Sequence, residues 1–203
     1  MSYDVGQLRR LRKFFVDRRE SAAVPIEAVT LTPDPTPGSI TGNRLAALVA
    51  TVLGIGYSPL MPGTLGSLAA LPLAYVVMGF GPLALWATTL VVTVVGTWAA
   101  GRFCELTGKH DNQRIVIDEV AGYLLTLALV PRTAANLILG FLLFRLLDIA
   151  KPWPIGVVDR RVKGGFGVMA DDLLAGLIAA VVLRLAAPYL PALFGRVING
   201  GQG

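Results

Sequence analysis

Apolar and polar stretches alternate along the chain in blocks, not residue by residue, and the blocks predict helices. Leu65 to Phe80 and Leu83 to Gly101 are both uncharged and close to the roughly 20 residues that cross a bilayer. Gly81-Pro82 predicts the turn between them. Pro72 predicts a kink in the first. Ala84, Ala87, Gly96, Ala99 and Ala100 give the second the small side chains that let helices approach closely in lipid. Leu45 to Tyr57 is apolar but too short to span. Val120 to Val130, ended by Pro131, and Asn136 to Leu147 predict two more apolar helices, neither long enough to cross alone. Leu173 to Ala187 predicts the last helix, with Arg184 placed to snorkel to an interface.

Between these blocks lie the polar stretches. Gln7 to Glu20 is basic, with Leu8, Leu11 and Phe15 on one helical face, and reads either as an amphipathic helix on a membrane surface or as a solvated arm. Thr32 to Gly38 carries three prolines in seven residues and predicts a linker. The division expected is a basic, partly flexible tail over residues 1–43, a membrane-embedded domain over 44–198 and a flexible end over 199–203. The first 44 residues lack an apolar core segment, so no secretory signal peptide is expected.

Composition sharpens this picture. Charged residues are 15% of the chain against about 25% in soluble domains, and hydrophobic residues are 54%. Leu45 to Gly101 is a run of 57 residues with no Asp, Glu, Lys, Arg or His. The expected fold is therefore all-α, an integral membrane helical bundle. Its short helices are re-entrant or packed inside the bundle, around a site that faces the cytoplasm. A soluble bundle with a very apolar core is the alternative. Of the 18 basic residues, 15 fall in the tail with Arg44, in 102–119 and in 145–163, which orients all three toward the cytoplasm. The net charge of +5 suits anionic lipid or a phosphate better than nucleic acid, because no basic patch is interleaved with aromatics. The lone Cys104 allows no internal disulfide and reads as a buried structural cysteine.

The chemistry gathers between the apolar blocks. Beyond the tail the chain holds eight carboxylates: Glu105, Asp111, Asp118, Glu119, Asp148, Asp159, Asp171 and Asp172. Charges beside hydrocarbon are costly unless paired or bound to metal. A hairpin of the two short helices over 120–147 keeps Asp118-Glu119 and Asp148 on one side. Arg145 and Asp148, three apart, share a helix face, and Pro152 and Pro154 stop that helix. Gly164, Gly165 and Gly167 predict a flexible loop that can approach a ligand. Asp171 and Asp172 then fall where a new helix is expected to begin, so an N-cap reading competes with a metal reading. Many carboxylates and one histidine suit a hard cation, Mg²⁺ or Mn²⁺. Lys151, Arg145 and Arg160 are placed to complete a phosphate cradle. Thr64 or Ser67 can cap a helix that starts after Pro62-Gly63, whose N-terminus also suits an anion. His110 is either a proton shuttle or phosphate ligand, or a structural loop histidine.

Five segments carry a resemblance: S-P-L-M-P-G-T-L-G-S-L-A-A (58–70), H-D-N-Q-R-I-V-I-D-E-V-A-G (110–122), F-R-L-L-D-I-A-K-P-W-P-I (144–155), D-R (159–160) and G-G-F-G-V-M-A-D-D-L-L-A-G (164–176). In order and spacing, from about Gly54 to Ala187, they resemble the phosphatidylglycerophosphatase A family. The resemblance implies an all-helical, Mg²⁺-dependent lipid phosphatase of the bacterial cytoplasmic membrane, converting phosphatidylglycerophosphate to phosphatidylglycerol. On that basis Asp118, Glu119, Asp148, Lys151, Asp171 and Asp172 are the expected catalytic residues. The five carboxylates among them are the expected metal ligands, and Ser58, Thr64, Ser67, His110, Arg145 and Arg160 the expected substrate contacts. Residues 1–43 have no counterpart in the pattern. A CDP-alcohol phosphatidyltransferase would need an Asp-Gly, Ala-Arg and Gly-x-x-x-Asp-x-x-x-Asp signature that the chain lacks. A scaffold without activity would leave the aspartates as pairing charges.

Overall fold

The computed structural model describes residues 37–109 and 112–189, with backbone alone for 37–40. These residues form seven α-helices and one short 3₁₀ turn, and no strand occurs among them. The helices are α1 (Pro37–Ala50), α2 (Pro62–Met78), α3 (Pro82–Thr107), α4 (Ile117–Thr126), α5 (Ala134–Ala150), α6 (Ile155–Arg161) and α7 (Gly164–Ala186). The 3₁₀ turn is Ile55–Tyr57. The amphipathic segment expected at Gln7 to Glu20 and the C-terminal end lie outside the described residues.

The helix α4 is the hub, packed against α2, α3, α5 and α7. Seven of its ten residues are buried, Glu119 among them. It meets α7 backbone to backbone, where a Cβ on Gly176 would stand 2.3 Å from the Gly122 carbonyl oxygen. Thr126 Oγ1 donates to the Gly122 carbonyl at 3.0 Å. The Tyr123 hydroxyl donates to the Leu137 carbonyl at 2.9 Å, which ties α4 to α5. Tyr123, Leu124, Leu127, Phe144, Ile155 and Leu183 form the core around these crossings.

Helices α3 and α7, of 26 and 23 residues, are long and apolar enough to cross a membrane. Trp86, Leu90, Val94 and Trp98 on α3 and Leu177, Val181 and Leu185 on α7 remain exposed at helical spacing, outward faces that hydrocarbon accepts and water does not. Helix α2 is apolar but has only 17 residues, about 26 Å. The first of the two expected spans therefore falls short of the roughly 30 Å hydrocarbon core.

Several boundaries differ from the expectations. Helix α1 opens at Pro37, inside the expected linker, because the fixed φ of proline suits a first helical turn. Helix α3 runs past Gly101 to Thr107, and Arg102 and Glu105 pair along it at 2.9 Å. Helix α4 starts at Ile117 and stops at Thr126, short of Pro131. Helix α5 is longer than expected, from a Thr133 cap whose side chain accepts the Asn136 N–H to Ala150. The glycines at 164, 165 and 167 do not make a loop. They open α7, where a Cβ on Gly165 would stand 2.1 Å from the Thr97 carbonyl oxygen and one on Gly167 2.5 Å from that of Val162. At 165 and 167 the lack of a side chain seats α7 against α3 and the incoming chain. Asp171 and Asp172 consequently lie about two turns inside the helix, and the N-cap is Lys163. A carboxylate there cannot cap, because the free N–H groups belong to the first turn. Neither Thr64 nor Ser67 caps α2, whose N-cap is Met61.

Candidate active site

Helices α5 and α7 bring three aspartates together. Asp148 lies in the last turn of α5, and Asp171 and Asp172 lie on the buried side of α7. One carboxylate oxygen from each falls within 4.8 Å of the others. Asp118 and Glu119, in the first turn of α4, line the same cavity, which has a volume of about 370 Å³. The two short helices thus bring Asp118-Glu119 and Asp148 to one site, as the hairpin reading required.

Two cations manage this charge. Arg145 donates to Glu119 Oε2 and forms an ion pair with Asp148 Oδ2 at 2.9 Å. Ser67 Oγ donates to the same Glu119 oxygen at 2.9 Å and also approaches the Gly63 carbonyl at 3.0 Å. Residue 63 is glycine at this contact, and a Cβ there would stand 2.0 Å from Glu119 Oε1 and displace that carboxylate. Lys151 takes a left-handed conformation, φ 42, as α5 ends before Pro152. Its Nζ donates to Asp159 Oδ1 and Asp171 Oδ2, each at 2.6 Å. Burial alone would lower the Lys151 ammonium pKa, but these two carboxylates outweigh it and raise it. The Asp118 carboxyl is pushed well above its usual range by burial and by the Glu119 charge beside it. Glu119 is raised by burial and by Asp148, against the opposing pull of Arg145.

The residues present fit a hard divalent cation. Asp172 Oδ2 is buried and has no hydrogen-bond partner among the described residues, which leaves an unpaired carboxylate oxygen on a residue of the cluster. The nearby donors are all carboxylate oxygens, as Mg²⁺ prefers. Their 4.8 Å spread is near the about 4.2 Å between opposite ligands of one such ion.

The structure distributes the other expected residues as follows. Ser67 and Arg145 join the site through Glu119, and Arg160 lines the cavity. Ser58 closes a turn of its own, its Oγ accepting the Leu60 N–H at 3.2 Å, and does not line the cavity. Thr64 lies in the first turn of α2 beside Gly63, also outside the cavity lining. His110 lies outside the described residues. Of the five expected ligands, Asp148, Asp171 and Asp172 converge. Glu119 Oε2 is taken up by Arg145 and Ser67, and Asp118 Oδ1 accepts the Glu119 N–H at 3.0 Å. Asp159 and Lys163 were absent from the expected site and line the cavity. The D-R segment at 159–160 and the eight-residue step from Lys151 across Pro152 and Pro154 were the available signals for Asp159.

The family model of phosphatidylglycerophosphatase A matches residues 48–187. The chain is 40% identical over 146 residues to phosphatidylglycerophosphatase A of Escherichia coli, covering 71% of this chain and 84% of that one. It is 36% identical over 138 residues to phosphatidylglycerophosphatase A of Haemophilus influenzae, covering 67% and 85%. A Bacteroides thetaiotaomicron protein, named provisionally as a phosphatidylinositol-3-phosphatase, is 38% identical over 151 residues, 70% of this chain and 93% of its own. No solved structure matches.

Proposed function

The chain belongs to the phosphatidylglycerophosphatase A family of phosphatases, and on that premise we propose that it is a Mg²⁺-dependent enzyme that removes the terminal phosphate of phosphatidylglycerophosphate. The net reaction consumes one water and yields phosphatidylglycerol and inorganic phosphate: a P–O ester bond breaks, phosphorus gains the water oxygen, and the glycerol oxygen leaves with a proton. The observation that carries this reading is the convergence of Asp148 with the buried Asp171 and Asp172 beside Lys151, in a chain with two helices long and apolar enough to cross a membrane.

Asp148, Asp171 and Asp172 would hold the ion through one carboxylate oxygen each. Mg²⁺ bound there supplies positive charge that offsets the aspartates and polarises a phosphate oxygen. Lys151 presents a fixed ammonium beside it, immobilised by Asp159 and Asp171, so little reorganisation is needed as charge develops on the phosphate. Arg145 and Ser67 act at one remove: Arg145 fixes Asp148, and both fix Glu119. The enzyme is placed in the bacterial cytoplasmic membrane with the cavity toward the cytoplasm, as the distribution of basic residues favours.

The test is phosphate release by the purified protein from phosphatidylglycerophosphate, with phosphatidylinositol 3-phosphate as the competing substrate. The reading expects turnover of the first, its loss in excess chelator and its return with Mg²⁺. Full turnover in chelator, or preference for the inositol lipid, would overturn it.

A further inference from the structure

The cavity sorts its charges by depth. Asp171 and Asp172 are buried, whereas Arg160 and Lys163 are exposed yet line the same cavity. Lys151 pairs with Asp159 and Asp171 beside the aspartate cluster. Neither Arg160 nor Lys163 pairs with a carboxylate among the described residues. Arg160 lies in the last turn of α6 and Lys163 at the N-cap of α7, so both are held by helix ends. A Cβ on Gly156 would stand 2.8 Å from the Lys151 carbonyl oxygen and 3.3 Å from Arg160 Nη1. Gly156 therefore leaves room for the Arg160 guanidinium to fold back along α6 toward Lys151.

A phosphate monoester at the aspartates would use Lys151 and leave the two cations at the mouth without a counter-charge. The cavity of about 370 Å³ exceeds the space of one phosphate, since a water takes roughly 30 Å³. A lipid with a terminal monoester and a phosphodiester nearer the membrane presents a second anion. We propose that Arg160 and Lys163 bind the non-reacting phosphodiester of the substrate and select headgroups with two phosphates over lipids with a single phosphate. This inference rests on the lipid phosphatase reading and assigns a specificity role to the mouth of that site. Each cation contributes a charge-assisted hydrogen bond, worth about tenfold in selectivity.

The experiment compares phosphatidylglycerophosphate with phosphatidic acid, a one-phosphate lipid, as substrates of the full chain in detergent with excess Mg²⁺. The variants are Arg160→Gln, Lys163→Gln and the double variant, with Arg161→Gln as control and thermal melting to monitor folding. The double variant is expected to lose at least about tenfold in the ratio of kcat/KM for the two lipids, mainly through KM for phosphatidylglycerophosphate. Arg161→Gln keeps the wild-type ratio. An unchanged ratio in the double variant overturns the proposal, as does an equal loss on both lipids, which would place the cations on the reacting phosphate. Calorimetric titration with glycerophosphoglycerol phosphate, which carries one phosphodiester and one terminal monoester, and with glycerol monophosphate reads the same preference from binding. If wild type hydrolyses neither lipid, the phosphatase reading fails, and the titration alone decides the inference: a preference for the two-phosphate ligand lost in the double variant supports it, and its absence overturns it.

Discussion

Replacing Asp172 by Asn separates a metal-binding aspartate from a structural one, because the two roles predict stability changes of opposite sign. Asp172 is 4% exposed, carries an unpartnered oxygen and lies in the interior of α7. Its carboxylate stands within 4.8 Å of both Asp148 and Asp171. At that distance, with an effective dielectric of about 20, each like-charge pair costs about 3.5 kcal/mol or more in a fixed geometry. Asn removes two such repulsions and gives the buried site an amide that can donate to the neighbouring carboxylates. Relaxation and proton uptake absorb most of that gain. A net gain of about 1 kcal/mol without metal is expected, a Tm rise of about 2–4 °C in chelator. With Mg²⁺ the order reverses. An ion at a hundred times its Kd stabilises the wild type by about 2.7 kcal/mol, or roughly 5–11 °C. The Asn variant is expected to lose most of that increment and about 10²-fold or more in phosphate release. A lower Tm in chelator combined with a normal Mg²⁺ response would refute the ligand role and leave Asp172 as a structural partner.

Three further outcomes follow from the geometry. Ser67→Ala removes the hydroxyl that binds Glu119 Oε2 at 2.9 Å and is expected to raise the Mg²⁺ concentration for half-maximal activity about tenfold, with Tm in chelator changed little. Gly63→Ala is expected to act in the same direction and more strongly, since its Cβ would stand 2.0 Å from Glu119 Oε1; a Mg²⁺ titration of activity checks both. Gly176→Ala puts a Cβ 2.3 Å from the Gly122 carbonyl oxygen, which backbone cannot evade, and is expected to cost about 3 kcal/mol, read as a Tm fall of roughly 6–12 °C.

The bundle and its apolar faces were legible in the sequence, because an uncharged run of 57 residues has few soluble explanations. The Arg145–Asp148 contact was legible from its i,i+3 spacing. The start of α7 was not. Three glycines in four residues read as a loop, since each costs a helix about 1 kcal/mol relative to alanine, yet contact with Thr97 and Val162 requires residues without side chains there. That misplacement alone produced the N-cap reading of Asp171 and Asp172. Nothing local announces that Glu119 meets Arg145 and Ser67, 26 and 52 residues away. Asp159 stands among the eight carboxylates beyond the tail, and only the fold of α6 shows that it meets Lys151.

Manganese binding to the purified protein, followed by electron paramagnetic resonance, tests the central claim most directly, because the six-line signal of free Mn²⁺ fades as the ion binds. The wild type is expected to take up Mn²⁺ saturably and to release it to excess Mg²⁺, and Asp148→Asn to weaken that binding by at least about tenfold. Equal binding by both proteins, or none by the wild type, would contradict the assignment of Asp148, Asp171 and Asp172 as the metal cradle.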